Sequence, residues 1–210
     1  MLQISWFLLG SYATNTGSTQ CLPCPTGKFA ATKGTSKCDS CPAGEYQNQT
    51  GQSNCTKCEP GSYSASIGAS ACTLCIPGKF QSASGQISCI NCAPGTYSSS
   101  SGTTACTDCS PGQYQDSAGS SSYKNCSYGS FTNTTKQTTC IKCQLGEYGP
   151  TIMATKCLTC PSGSFSDSEG SKSCNTCNPG EFQSQSGMTK CDNCSAGSFS
   201  NSSGMDQCYK

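Results

Sequence analysis

The chain contains no histidine, no arginine and no valine. Without histidine, Ser-His-Asp and Cys-His catalysis and histidine-ligated metals are excluded. Without arginine, so is bidentate recognition of phosphate. Its 12 lysines stand against 11 acidic residues, a net charge of +1, so no basic footprint points to nucleic acid. The longest run of large apolar residues is Trp6-Phe7-Leu8-Leu9, far short of the roughly 20 residues that cross a bilayer. Leu, Ile and Phe number 7 each, 21 residues of 210. A chain so poor in apolar residues buries too little surface to offset its conformational entropy, and is ordinarily disordered.

What replaces the missing core is cysteine, 22 residues of 210, above the roughly 8–10% that marks a disulfide scaffold. Covalent links do the work of a core where the core is too small. Ser and Thr number 60, which makes the surface polar but weakly charged.

The cysteines recur as one C-x-x-C in each 17-residue period, Cys21 to Cys38 and Cys38 to Cys55, without slip as far as Cys208. One slot is empty, where Tyr123 stands for the first Cys of the seventh pair. Other positions keep the same period. Three residues after the second Cys there is always Gly, from Gly27 to Gly197. Five residues after it there is always Tyr or Phe, from Phe29 to Phe199. Ten residues after it there is Gly in nine of eleven repeats, the exceptions being Lys136 and Met153. Pro often follows the second Cys, directly as at Pro25 or one place later as at Pro60.

Each slot has a physical role. Pro presets φ at roughly −65° and Gly tolerates φ > 0, so Pro and Gly after a Cys make a turn. The aromatic follows in a stretch short enough for a strand of a few residues. The second Gly marks a second turn that returns the chain to the next Cys. Each repeat therefore reads as a small irregular hairpin whose ring packs on a disulfide. The expected fold is a small disulfide-rich, all-β array of about twelve 17-residue hairpins, elongated and almost without helix, in which each repeat touches only its neighbours.

Residues 1–20 fit the same register. With Ile4 and Phe7 in the cysteine slots, Gly10, Tyr12 and Gly17 fall in place and Cys21 closes the unit. The competing reading is a signal peptide with an apolar stretch Ile4–Leu9 and cleavage after Ala13; it lacks a basic start and its apolar run is short. The chain divides into a degenerate N-terminal repeat at 1–20, regular repeats at 21–122, degenerate repeats and a weak joint at 123–156, and regular repeats at 157–210. The ending Cys208-Tyr-Lys, in mid-pair, reads as a piece of something longer.

Three chemistries compete for the cysteines. Structural disulfides fit the composition. Zinc in four thiolates fits a C-x2-C-x13-C-x2-C spacing, but would need a 34-residue alternation that is absent. Thiol–disulfide exchange at C-x-x-C has no βαβ pattern to support it.

The motif Cys21-Leu-Pro-Cys24-Pro-Thr-Gly27-Lys-Phe29, through Gly34 to Cys38-Asp-Ser-Cys41, resembles the ephrin-receptor-like cysteine-rich repeat, one of the growth-factor-receptor cysteine-rich modules. The stretch Cys24 to Cys38 also resembles the single-disulfide module of tumour necrosis factor receptors. The resemblance spans nearly the whole chain. It implies an extracellular, disulfide-laced segment of a larger surface protein, and carries no catalytic residue or ligand site with it. The departures are Tyr123, Lys136, Met153 and the N-terminal unit.

The single-disulfide module implies that the second Cys of each pair bonds the first Cys of the next: Cys24–Cys38, Cys41–Cys55, Cys58–Cys72, Cys75–Cys89, Cys92–Cys106, Cys126–Cys140, Cys143–Cys157, Cys160–Cys174, Cys177–Cys191 and Cys194–Cys208. Cys21 and Cys109 are then left over. Bonds within each C-x-x-C would instead strand Cys126 and Cys208, and interlocked pairs would strand Cys140 and Cys194. The three schemes remain open to the sequence.

Asn48, Asn54, Asn125, Asn133, Asn193 and Asn201 stand in N-x-[ST], six of ten asparagines. That is about twice the chance expectation and a hint of the secretory pathway. The expected function is non-enzymatic: an extracellular or cell-surface spacer, coat or adhesion segment. No cofactor or metal is expected. The expected partners are other surface or matrix proteins, without nucleic acid or a transmembrane segment. The alternative is a ligand-binding receptor ectodomain fragment, with Tyr123, Lys124 and Tyr128 as its patch.

Overall fold

A computed structural model describes residues 8–210. These residues hold 22 two-residue strands, paired as eleven two-stranded sheets, together with ten disulfides. The protein is a small disulfide-rich all-β array.

One repeat explains the rest. Lys28–Phe29 pairs antiparallel with Asp39–Ser40, Phe29 opposite Asp39. The strand that returns is therefore the pair of residues inside the C-x-x-C. The Pro25–Lys28 turn begins the hairpin, with the Lys28 N–H donating to the Pro25 carbonyl at 3.1 Å and Gly27 at φ 78°. That is a type II turn, which needs a positive φ at its third residue. Where proline falls one place later, in Glu59-Pro60-Gly61-Ser62, it occupies the second turn position it suits best, and the Ser62 N–H reaches Glu59 at 3.0 Å.

The chain forms two compact units. The first takes residues up to Cys92, with Tyr97–Thr107 and Gly119–Ser121. Within it the Cys41 N–H donates to the Gly27 carbonyl at 2.9 Å, Gly27 to Gln47 at 2.7 Å, and Gly68 to Cys41 at 2.7 Å. The second takes Ala93–Thr96, Asp108–Ala118 and Ser122–Lys210. There Cys143 donates to Gly129 at 2.9 Å, Gly146 to Ser166 at 2.8 Å, and Gly170 to Cys143 at 2.9 Å. Repeats are thus welded to the next by backbone bonds as well as sharing a chain.

The expectation of contact between neighbours alone is corrected. In the first unit a Cβ on Gly27 would overlap the carbonyl oxygen of Gly68, two repeats on; in the second, Gly129 and Gly163 stand in the same relation to Gly170 and Gly204. Only a residue without Cβ lets two backbones meet there.

The interior is made of sulfur and short polar groups. The second Cys of each pair, from Cys24 to Cys177, is fully buried. The rings are only half-buried, and Phe199 is exposed. The residue before the ring is buried in several repeats, as at Ser62, Thr96 and Ser164, and the residue after the ring is buried in all eleven from Ala30 to Ser200. There Gln47 donates from Nε2 to the Asn54 carbonyl at 2.8 Å and accepts the Gln49 N–H at 3.0 Å. Gln81, Gln115 and Gln183 repeat that pattern. Ser64, Ser98 and Ser166 donate instead to a carbonyl two residues on. Among the described residues no buried side-chain polar atom lacks a partner, as a polar interior requires.

Lys136 and Met153 keep the second turn at φ 62° and 59°. Their N–H groups still donate to Cys109 at 3.0 Å and to Cys126 at 2.9 Å. The turn type is kept and the side chains accept the left-handed conformation. At the N-terminus, Gly10 and Gly17 have φ 77° and 79°, and Ser11–Tyr12 pairs with Leu22–Pro23. The slots of Ile4 and Phe7, and most of the alternative signal segment, lie outside the described residues.

Candidate functional site

The sulfurs come together as ten pairs, each 14 residues apart: Cys24–Cys38, Cys41–Cys55, Cys58–Cys72, Cys75–Cys89 and Cys92–Cys106, then Cys126–Cys140, Cys143–Cys157, Cys160–Cys174, Cys177–Cys191 and Cys194–Cys208. Their Cα separations of 5.6–5.7 Å suit the bond. Each closes a loop of about 15 residues, worth roughly 3 kcal/mol in the chain-entropy account.

Cys21 and Cys109 are thiols. Cys109 is buried, and burial, followed by the Asp108 carboxylate, pushes its pKa up. A thiol so placed is a poor nucleophile, because the thiolate is the reactive form. Among the described residues no group of three His, Cys, Asp or Glu is arranged to hold a metal.

The patch read at Tyr123, Lys124 and Tyr128 is split. Lys124 turns to Asp116, its Nζ 2.8 Å from both carboxylate oxygens, and lies 5.8 Å from the Tyr114 ring centre. The Asp116 carboxyl is lowered, first by the Lys124 hydrogen bond and then by that of Ser117; the Lys124 ammonium is raised by the same bond to Asp116. Tyr128 is 56% exposed and lines a recess of about 420 Å³ with Tyr114, Asn125, Lys142 and Glu169. Tyr123 is not in that recess.

The recess has counterparts at the same place in other repeats. Tyr63 faces Ile76, Lys79 and Cys89, and Phe182 faces Asn193, Ser198 and Cys208. Each lies between one repeat's ring and the next repeat's turn and far cysteine. Sequence reasoning located the rings but missed these recesses. The site at Tyr114 differs from the others in holding two tyrosines.

The six sequons fall in two kinds of place. Asn48, Asn133 and Asn201 each stand seven residues after a second Cys, in the exposed loop beyond the ring strand. Asn54, Asn125 and Asn193 each precede a disulfide cysteine, Cys55, Cys126 and Cys194.

Among the described residues no helix is long and apolar enough to cross a membrane. No curated protein matches the chain. Five overlapping stretches, residues 27–71, 61–105, 95–138, 129–177 and 163–208, match the family described as tyrosine-protein kinase ephrin type A/B receptor-like. Together they run through almost every hairpin described above, so the chain belongs to the ephrin-receptor-like family of cysteine-rich repeats, a receptor-like module that is generally non-enzymatic.

Proposed function

We propose that this chain is a non-enzymatic extracellular or cell-surface segment that acts as a spacer, coat or adhesion module within a larger surface protein. One observation carries the reading: the groups that could do chemistry are consumed in holding each repeat together. Twenty cysteines are in disulfides, and the buried Gln and Ser side chains serve neighbouring backbone groups. What faces outward is mostly small and polar. Such a disulfide content belongs to an oxidising compartment. Partners would be other surface or matrix proteins.

The test is to display the chain at a cell surface between an anchor and a tag, and to remove two repeats, residues 58–91, in register. A spacer brings the tag measurably nearer the membrane by fluorescence transfer while leaving secretion intact. No change in distance argues against it.

A second reading, a ligand-binding receptor segment, is favoured by the recess at Tyr114 and Tyr128 alone. Tyr128→Ala is the discriminating variant. Loss of binding to a cell or matrix preparation that the unaltered chain retains supports this reading over the spacer.

A further inference from the structure

The place seven residues after each second Cys is exposed in all eleven repeats, from residue 31 to residue 201. It holds only Ala, Asn, Ser, Asp or Pro. It shares that exposure with the residues inside the returning C-x-x-C, but unlike them it lies outside the paired strands. Three of these eleven residues are asparagines, and all three open a sequon: Asn48-Gln49-Thr50, Asn133-Thr134-Thr135 and Asn201-Ser202-Ser203. They follow directly on Gln47, Thr132 and Ser200, which are buried. The backbone beneath each asparagine is thus held while the residue itself faces solvent.

In all three, the asparagine and the hydroxyl residue two places on are exposed. None of these six amides donates to another backbone group. The other three sequons are tied down. Asn54-Cys55-Thr56, Asn125-Cys126-Ser127 and Asn193-Cys194-Ser195 each have a disulfide cysteine in the middle. Asn125 and Asn193 pair across a hairpin with Gln113 and Glu181, and Thr56 pairs with Tyr46. The Asn54 carbonyl is held by Gln47.

We propose that Asn48, Asn133 and Asn201, equivalent positions in three repeats, carry N-linked glycans, and that the three sequons built around a disulfide cysteine do not. The proposal rests on the secretory reading above. The donor is an oligosaccharide on a polyprenyl diphosphate. The asparagine carboxamide nitrogen forms a bond to the anomeric carbon as that carbon's bond to the diphosphate oxygen breaks. The amide proton passes to the released diphosphate. The transferring enzyme needs the acceptor segment extended and free. A segment paired in a hairpin with a disulfide at its centre is not free to be drawn out. The exposed loop, whose amides bond no other backbone group, is free, and a glycan there displaces no inter-repeat bond.

The test expresses the full chain in a eukaryotic cell behind a cleavable secretory leader. The secreted protein is deglycosylated enzymatically in heavy-oxygen water, reduced, digested and mapped. Expected is the isotopic label at Asn48, Asn133 and Asn201. Expected also is the loss of one glycan step on a gel for each of Asn48→Gln, Asn133→Gln and Asn201→Gln, with no step left in the triple variant. Label at Asn54, Asn125 or Asn193, or a secreted, disulfide-bonded chain without glycan, overturns the assignment. The leader delivers the chain to the lumen whatever its natural address, so that failure leaves the surface reading standing. The surface reading fails separately, if antibody finds the natural chain reduced and inside its own cells.

Discussion

Gly129 lies against the carbonyl oxygen of Gly170, two repeats further along the chain, so closely that a Cβ would overlap it. Gly34, a second-turn glycine at φ 76°, has nothing within 4 Å of the same hypothetical Cβ. The two slots thus differ in the number of demands. From Gly10 to Gly163 the first turn needs positive φ and a missing Cβ; the second turn at Gly34 needs positive φ only. This accounts for Gly in those first-turn slots and for Lys136 and Met153 in the second.

Gly34→Ala should cost about 1–2 kcal/mol, the penalty of a left-handed alanine. Gly129→Ala should cost that and about 1–3 kcal/mol more for overpacking. Gly197→Ala is the internal control, since Gly197 is a first-turn glycine with nothing within 4 Å; it should behave like Gly34→Ala. Hydrogen exchange at the amides that depend on each turn, such as Cys143 on Gly129, measures the ranking. Equal effects at 129 and 197 would refute the two-demand account.

Met153→Gly should stabilise the 123–156 stretch. Relief of the left-handed side chain at φ 59° exceeds the extra chain entropy of glycine, for a net gain of about 0.5–1 kcal/mol. Under native conditions trypsin is expected to cut this stretch first, at Lys124, Lys136 or Lys142. In Met153→Gly those cuts should slow. Faster cleavage in the variant, or first cuts elsewhere, would count against a weak joint here.

The Asp116–Lys124 pair spans the hairpin that has Tyr123 in a cysteine slot. Asp116 is lowered below its ordinary value of about 3.9. Its contribution is therefore complete above that ordinary value and lost as pH falls through the lower folded value. Lys124 is raised above its ordinary value of about 10.4. Its contribution is complete below that pH and lost as pH rises through the higher folded value. Both groups are exposed, so the effect is small and screened by salt. An NMR titration of the Asp116 carboxyl should show its pKa rising towards the ordinary value in Lys124→Met. No movement would mean that the ion pair does not form in solution.

Native alkylation should label Cys21 first, because it is only half-buried. Cys109 should react only after denaturation, since burial both covers it and raises its pKa. Peptide mapping without reduction reads both the labels and the sulfur pairing. Label at Cys126 and Cys208, or at Cys140 and Cys194, would reject the pairing described above.

The candidate site was only partly legible in the sequence. The register put Tyr123, Lys124 and Tyr128 in one irregular stretch, but along a strand successive side chains go to opposite faces. Lys124 goes to Asp116, and Tyr128 shares its recess with Tyr114, one repeat earlier, and Glu169, two repeats later. The buried residue after each ring was also missed. Its signal was present: it is never charged, and alternates mainly between Gln and Ser or Thr from Gln47 to Ser200.

What the sequence determined by itself was everything set within a single hairpin: the regular spacing of the cysteine pairs, the turns at Gly27 and Gly34, the short ring strand, and a disulfide-rich array in place of a core. Those are local properties, because φ at a glycine, the presence of proline and the reach of a short loop depend on residues a few places apart. Only the tertiary structure decided that repeats touch their second neighbours, that sulfur and amide rather than the rings fill the interior, and which sequons lie in exposed loops rather than in paired strands. Those depend on groups one or two repeats apart, such as Gly27 with Gln47 and Gly129 with Gly170, whose meeting is set by how one hairpin seats on the next.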